Sequence, residues 1–307
     1  MDKLAARLPS LFLSHGSPMT ALEPAAAGDF LRRLGPAIDA AFGRPRAILA
    51  VSAHTLTRMP VLLAAARHAT VHDFHGFPEA LYRLRYDAPG APELAARVQA
   101  LLADAGIACE RVDEGGLDHG IWTPLRFAYP EADVPVLPLG LVPNWSPARL
   151  QALGRALAPL SGEGVLVVGS GSLTHNLRLV FEGGERPPLN APEIAQSAAF
   201  RAWVAERAAA ADWTALQDYR RQAPFASLMH PSDEHWLPFY VAAGAAEAAG
   251  QAAVGTRLHA SVTYGCLAMD AYAFGANGAR LQQALATAST AVSTAVSTAV
   301  STSSAGN

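Results

Sequence analysis

Histidines follow short apolar runs at widely separated points of the chain. LPSLFLSHGSP carries His15, RAILAVSAHT carries His54, VLVVGSGSLTHN carries His175, and HPSDEHWLP carries His230 and His235. Neutral imidazole is the commonest side-chain metal ligand and a general base suited to neutral pH. The first three runs read as buried strands, and a parallel α/β sheet gathers the ends of distant strands along one edge. Imidazoles collected at such an edge would build a metal-dependent catalytic site. A single strand-end histidine is commonly structural; the recurrence of the pattern carries the expectation.

Other residues sharpen or thin that set. His119, in LDHGIWTPL, follows Asp118, which would raise its pKa if the two side chains touched. His230, Asp233, Glu234 and His235 crowd into six residues. Ser232 or Asp233 can cap a helix through WLPFYVAAGAA, with Pro238 tolerated in its first turn. Neighbours on a helix point about 100° apart, so Glu234 and His235 do not both suit one metal. His72 and His75 read as loop residues, and His68 and His259 as structural ones. Trp122, Trp145 and Trp236 read as packing. GSGS at 169–172 lacks the lysine and the glycine spacing of a phosphate cradle, and no HExxH motif is present. Cys109 and Cys266 stand far apart, which excludes a disulfide framework and a thiolate zinc site and leaves buried free thiols.

The elements that must position these residues are legible as an alternation. Residues 10–14, 46–53, 134–142 and 164–170 are short, apolar and bounded by turn residues, as strands buried on both faces are. Between them, 92–105 has helical spacing and opens on Pro92, 147–160 follows Ser146 as N-cap, and 193–210 is a further helix. The expected fold is α/β, a single domain with a mostly parallel central sheet flanked by helices, spanning residues 1–278. Segment 68–90 mixes His, Asp, aromatics, Gly and Pro without a period, and reads as a long ordered loop with a short helix at PEALYRL. Such loops are often functional. Residues 279–307 read as a short helix extension followed by a low-complexity tail that repeats AVST three times at 291–302.

Of the 307 residues, 51% are hydrophobic and 16% charged, with a net charge of −3. That excludes a nucleic-acid-binding class, which needs a basic surface. LPSLFL is shorter than a signal-peptide core, and no run approaches the ~20 apolar residues of a membrane span. The expectation is a cytoplasmic protein without a membrane partner, and an apolar chain of this size suits a homodimer.

Six motifs in order resemble the class III extradiol ring-cleaving dioxygenases, of the 4,5-DOPA dioxygenase-like branch, with LigB-type subunits as more distant relatives. They are LFLSHGSPM at 11–19, VSAHT at 51–55, HDFHGFPEALY at 72–82, DHGIWTPL at 118–125, SGSLTHNL at 170–177 and DEHWLPFYVAAGA at 233–245. The resemblance implies a metal at the carboxyl edge of the sheet, with His15, His54 and His235 as ligands and Glu234 as the alternative third. It implies His175 as acid/base beside the metal, described as a further ligand when zinc binds, and His119 as a histidine facing substrate. His230 has no firm counterpart. The implied reaction is opening of a catechol ring, adjacent to the hydroxyls, by O2 at Fe(II), giving a muconic semialdehyde. Three protein ligands on one face leave positions open for both catechol oxygens and O2. Zn(II) competes for such a site but cannot change oxidation state. Two other readings stay open: a zinc hydrolase on the same histidines, and a Memo-like binding protein. Neither Arg126 nor Arg178 is singled out for a substrate carboxylate, since surface ion pairs suit both.

Overall fold

Alternation along the apolar runs divides the interior into two cores. The computed structural model describes residues 7–182, 184, 186–247 and 251–287. Its main sheet has six strands: β1 Ser10–Ser14, β2 Ala47–Ser52, β3 Val136–Pro138, β4 Val165–Gly171, β5 Gly255–His259 and β6 Ala271–Phe274, in the order β3-β2-β4-β1-β6-β5. The four strands β3, β2, β4 and β1 run parallel, whereas β6 is antiparallel to β1 and β5 to β6. The sheet is therefore mixed, with a parallel half that matches the expected α/β fold.

Six helices pack on it: α1 Ala25–Phe42, α2 Pro92–Asp104, α3 His119–Ala128, α4 Pro147–Leu157, α5 Ala195–Ala209 and α6 Pro238–Ala245. Phe12, Leu49, Val51, Val165 and Val167 join the core shared with α2, α4, α5 and α6. Leu11, Leu13, Ile48, Ala50, Leu166 and Val168 join the core shared with α1 and α3. Successive strand side chains point to opposite faces, so a strand between two helical layers must be apolar throughout. Each fully buried Leu, Val or Phe contributes about 1.5–3 kcal/mol.

Local chemistry sets the ends of the elements. Pro92 and Pro147 stand in the first turns of α2 and α4, and Ser146 Oγ accepts from Arg149 N. The strand expected over 134–142 shortens to three residues at the sheet edge, since Pro135 and Pro138 have no N–H to give to a ladder. The helix expected from Ser232 or Asp233 begins instead at Pro238. Asp233 does not cap it through its side chain: its carboxylate accepts from the Tyr219 hydroxyl at 2.6 Å and pairs with Arg220. Strands β5 and β6 lay outside the expected set; β5 is only half-buried along most of its length and so lacks the continuous apolar signature. Residues 278–287 are helical, with Leu281 and Leu285 buried in the second core. The AVST repeat lies outside the described residues. No helix among the described residues is long and apolar enough to cross a membrane.

The histidines read as structural are so. His68 Nε2 donates to Val136 O at 3.0 Å, and His259 stacks on Phe30 with ring centroids 4.8 Å apart. His230 is fully buried beside Trp236 and Phe200 and donates to Leu173 O at 2.9 Å. Burial pushes its pKa down to about 3. Above pH 6.5 both folded and unfolded states hold this ring neutral; below it the unfolded chain takes up a proton that the folded chain refuses. Stability should therefore fall as pH drops from about 6.5 toward 3, by up to about 1.4 kcal/mol per pH unit for this residue. Urea denaturation of the metal-free protein at pH 7, 6 and 5 should show this, with a shallower slope in His230→Gln. An unchanged slope in that variant would show that His230 is not protonated on unfolding.

Candidate metal centre

Strand ends, one loop and the turn before α6 bring five histidines together. His15 follows β1 and His54 follows β2; His119 opens α3, His175 follows β4 by four residues, and His235 precedes α6. The rings of His15 and His54 lie 5.0 Å apart by centroid, those of His54 and His235 4.9 Å, and those of His54 and His119 4.0 Å. The His175 ring lies parallel to that of His235 at 3.5 Å. All the histidines expected at the site, His15, His54, His119, His175 and His235, are thus neighbours, whereas His230 faces the core.

Hydrogen bonds on the far side of the His15, His119 and His235 rings determine their tautomers. Ser170 Oγ donates to Gly120 O, so it must accept at 2.9 Å from Nδ1–H of His15. His235 Nδ1 donates to Glu234 Oε1 at 3.1 Å, and His119 Nδ1 donates to Asp73 Oδ2 at 2.9 Å, because an ionised carboxylate only accepts. Asp73 Oδ2 also stands 3.4 Å from His54 Nδ1, an electrostatic contact that favours a proton there. With Nδ1 protonated, Nε2 of each neutral ring carries a lone pair. Nε2 of His54 lies 3.1 Å from Nε2 of His15 and 3.2 Å from Nε2 of His235.

Lone pairs aimed at each other at this distance repel unless a cation lies between them. Two nitrogens each about 2.1 Å from one metal and at right angles are about 3.0 Å apart, so the donor set fits a divalent ion bound by imidazole. The same set is unsuited to holding protons. Burial first, then the neighbouring histidines, lowers the pKa of His15 far below its usual value, that of His54 to about 3 and that of His175 to about 2. Burial pushes the Asp73 carboxyl up, but its hydrogen bonds and charge interaction with His119, joined by His54, together bring it down to about 2, and the His235 hydrogen bond brings Glu234 to about 2 as well. Two other groupings of donor atoms are also compact: those of His15, His54 and His119 lie within 4.8 Å of one another, as do those of His175, Glu234 and His235.

Glycine explains how His235 reaches the edge. A Cβ at Gly171 would lie 2.0 Å from His235 O, and one at Gly169 would lie 2.3 Å from Pro238 O. Ser172 N donates to His235 O at 2.9 Å. The GSGS segment is thus a seam on which the turn before α6 rests. Asp118, the acidic neighbour of His119 in sequence, does not touch its ring: it caps α3 and accepts from Ser52 and Thr55, while His119 is held by Asp73. Asp73 was not singled out in the sequence, although its loop was.

The histidines open into a cavity of about 320 Å³, walled by Phe74, Phe77, Leu177, Val180, Phe181, Tyr264 and Leu267. A concave, mostly apolar space with a few converging polar groups is the usual form of a small-molecule site. Among the cluster, His175 is the ring whose nitrogens make no hydrogen bond with a described residue; its backbone N donates to Met229 O at 2.8 Å.

Fold and site together define an α/β enzyme with a histidine centre at the carboxyl edge of parallel strands. Residues 9–274 match the family of the catalytic LigB subunit of aromatic ring-opening dioxygenase. The chain is 38% identical over 267 residues to the 4,5-DOPA dioxygenase extradiol of Beta vulgaris, covering 86% of this chain and 96% of that one. It is 36% identical over 244 residues to the 4,5-DOPA dioxygenase extradiol of Escherichia coli (strain K12), covering 78% and 85%. The crystal structure of an uncharacterized Escherichia coli K12 protein superposes with a TM-score of 0.69 at 33% identity, covering 88% of this chain and all of that one. The chain belongs to this family and is an extradiol ring-opening dioxygenase.

Two substitutions test the geometry. Gly171→Ala should cost about 1–3 kcal/mol by overpacking the seam, read by urea denaturation; a wild-type midpoint would show that the chain at His235 retreats freely. Asp73→Asn removes the anion that holds two rings, so the His119 ring should lose its single tautomer in nitrogen-15 NMR, and an unchanged spectrum would show that Asp73 does not set it.

Proposed function

We propose that the protein is a non-haem Fe(II)-dependent dioxygenase that cleaves a catechol next to its hydroxyls with O2, giving a muconic semialdehyde-type product. The observation that carries this is the convergence of the His15, His54 and His235 Nε2 lone pairs, each ring oriented from behind by Ser170, Asp73 or Glu234. These three would hold the metal, and iron bound there would supply the redox chemistry that a catechol and O2 need to react. The choice of His235 over Glu234 rests on the Glu234 carboxylate being engaged by His235 Nδ1 and by Ser232. Zinc suits the same nitrogens and would leave the protein unable to perform this chemistry.

The chain's own side chains have separate tasks. Phe74 and Phe77 and the other apolar walls strip water from the ring and give it an apolar surface beside the histidines. His175, neutral and with its ring nitrogens open to the cavity, accepts a proton from one catechol hydroxyl. The anion thereby formed beside it raises the His175 pKa, which keeps the proton on the imidazole. His119, oriented by Asp73, presents Nε2 to the same cavity and serves as the second proton-handling group.

Oxygen uptake by anaerobically iron-reconstituted protein, measured on a panel of catechols with the yellow ring-opened product followed in the same cuvette, tests the reaction. Uptake and colour should rise together; iron-loaded protein that consumes no oxygen with any of them would count against it. His15→Ala, His54→Ala and His235→Ala should each lose iron, and Glu234→Ala should retain most of it. The reverse result for the last two would make Glu234 the ligand. His175→Ala should keep its iron and lose about 10²-fold or more in kcat, as removal of a general base does.

A further inference from the structure

The cavity wall carries a charge that the ring-opening chemistry does not use. Arg186 is the one arginine or lysine among the described residues lining it, and its guanidinium lies 5.1 Å from the centre of the Tyr264 ring. No carboxylate of a described residue pairs with Arg186. Of the other polar side chains of the wall outside the histidines, Ser17 accepts from Met19 N, Ser172 donates to Thr174 O, and Asp73 is held by His119, and none of them is cationic. Arg178, by contrast, is tied to Glu182 at 3.0 Å on the surface. Arg186, exposed at the cavity wall, is therefore the one permanently cationic group that the described residues offer a ligand there, and the Tyr264 face limits the positions its planar fork can take.

We infer that Arg186 is the specificity-determining residue of the site and binds a carboxylate carried on a short side chain of the catechol. The inference rests on the catechol reading for what occupies the histidine end. With the hydroxyls at the histidines and the ring against the apolar wall, a substituent on the ring has one permanently cationic partner available among the described residues of the cavity, and a carboxylate matches it in charge and in bidentate geometry.

Isothermal titration of oxygen-free, iron-loaded protein with 3-(3,4-dihydroxyphenyl)propionate and with 4-methylcatechol tests this. The wild type should bind the acid about tenfold or more tightly than the neutral catechol. Arg186→Met should reduce that ratio by about tenfold, and Arg186→Lys should restore part of it. A wild type without preference, or an unchanged ratio in Arg186→Met, overturns the assignment. Oxygen uptake with 4-methylcatechol separates the two levels. Preference for the acid without turnover of either compound sinks the dioxygenase reading and upholds Arg186. Turnover without preference does the opposite, and failure to bind either compound sinks both.

Discussion

Mutual repulsion of imidazole lone pairs is the constraint on which this molecule turns. Nε2 atoms of His15, His54 and His235 come within 3.1–3.2 Å in the sequence His15, His54, His235. No packing force of ordinary size favours that arrangement, because each pair would gain by donating elsewhere. It persists because the opposite edge of each ring is committed. Ser170 is polarised by its own donation to Gly120 O, and Glu234 and Asp73 are held ionised by the rings they orient. Such partners behind a metal-binding histidine fix its tautomer and raise its basicity.

The fold meets this constraint with strand ends and close backbone contacts. Parallel pairing of β2, β4 and β1 aligns Ser52 with Ser170 and Ser14 with Gly171, so the residues just beyond these strands emerge side by side. Gly16, at φ +69°, turns the chain away immediately after His15 in the left-handed region that a side chain disfavours. Gly171 does the complementary work for the turn that carries His235. Without its bare α-carbon, the carbonyl of His235 could not rest against β4.

Much of this was legible in the chain because it depends on periodicity and on residue type. Strands β1, β2 and β4 announce themselves as apolar runs, and His15, His54, His175 and His235 stand where those runs or the DEH segment end. What could not be read depends on contacts between distant segments. Asp73 reaches His119 across 46 positions from a loop with no period, whereas Asp118, adjacent to His119 in sequence, turns its carboxylate to Ser52 and Thr55. The start of α6 was displaced for a similar reason, since Asp233 is drawn to Tyr219 and Arg220 rather than to the helix behind it. Strands β5 and β6 escaped because a half-buried edge carries a mixed signal, and Arg186 because only the folded wall shows which arginines face the cavity.

Charge balance connects the ligand set to the substrate. At neutral pH the imidazoles of His15, His54, His175 and His235 are uncharged, and Asp73 and Glu234 each bring one negative charge from one hydrogen bond behind the rings. The pair would therefore balance a divalent cation held by the proposed histidine ligands without either carboxylate needing to touch it. In the proposed reaction, a catechol that arrives neutral and passes one proton to His175 would add an anion and a cation side by side, so the buried site would gain no net charge. Every carboxylate kept behind a histidine, rather than in front of it, leaves one more direction from which an anionic oxygen can approach the centre unopposed. That is the electrostatic consequence of building the front of the site from histidine alone, and it suits a ligand that becomes negative only as it binds.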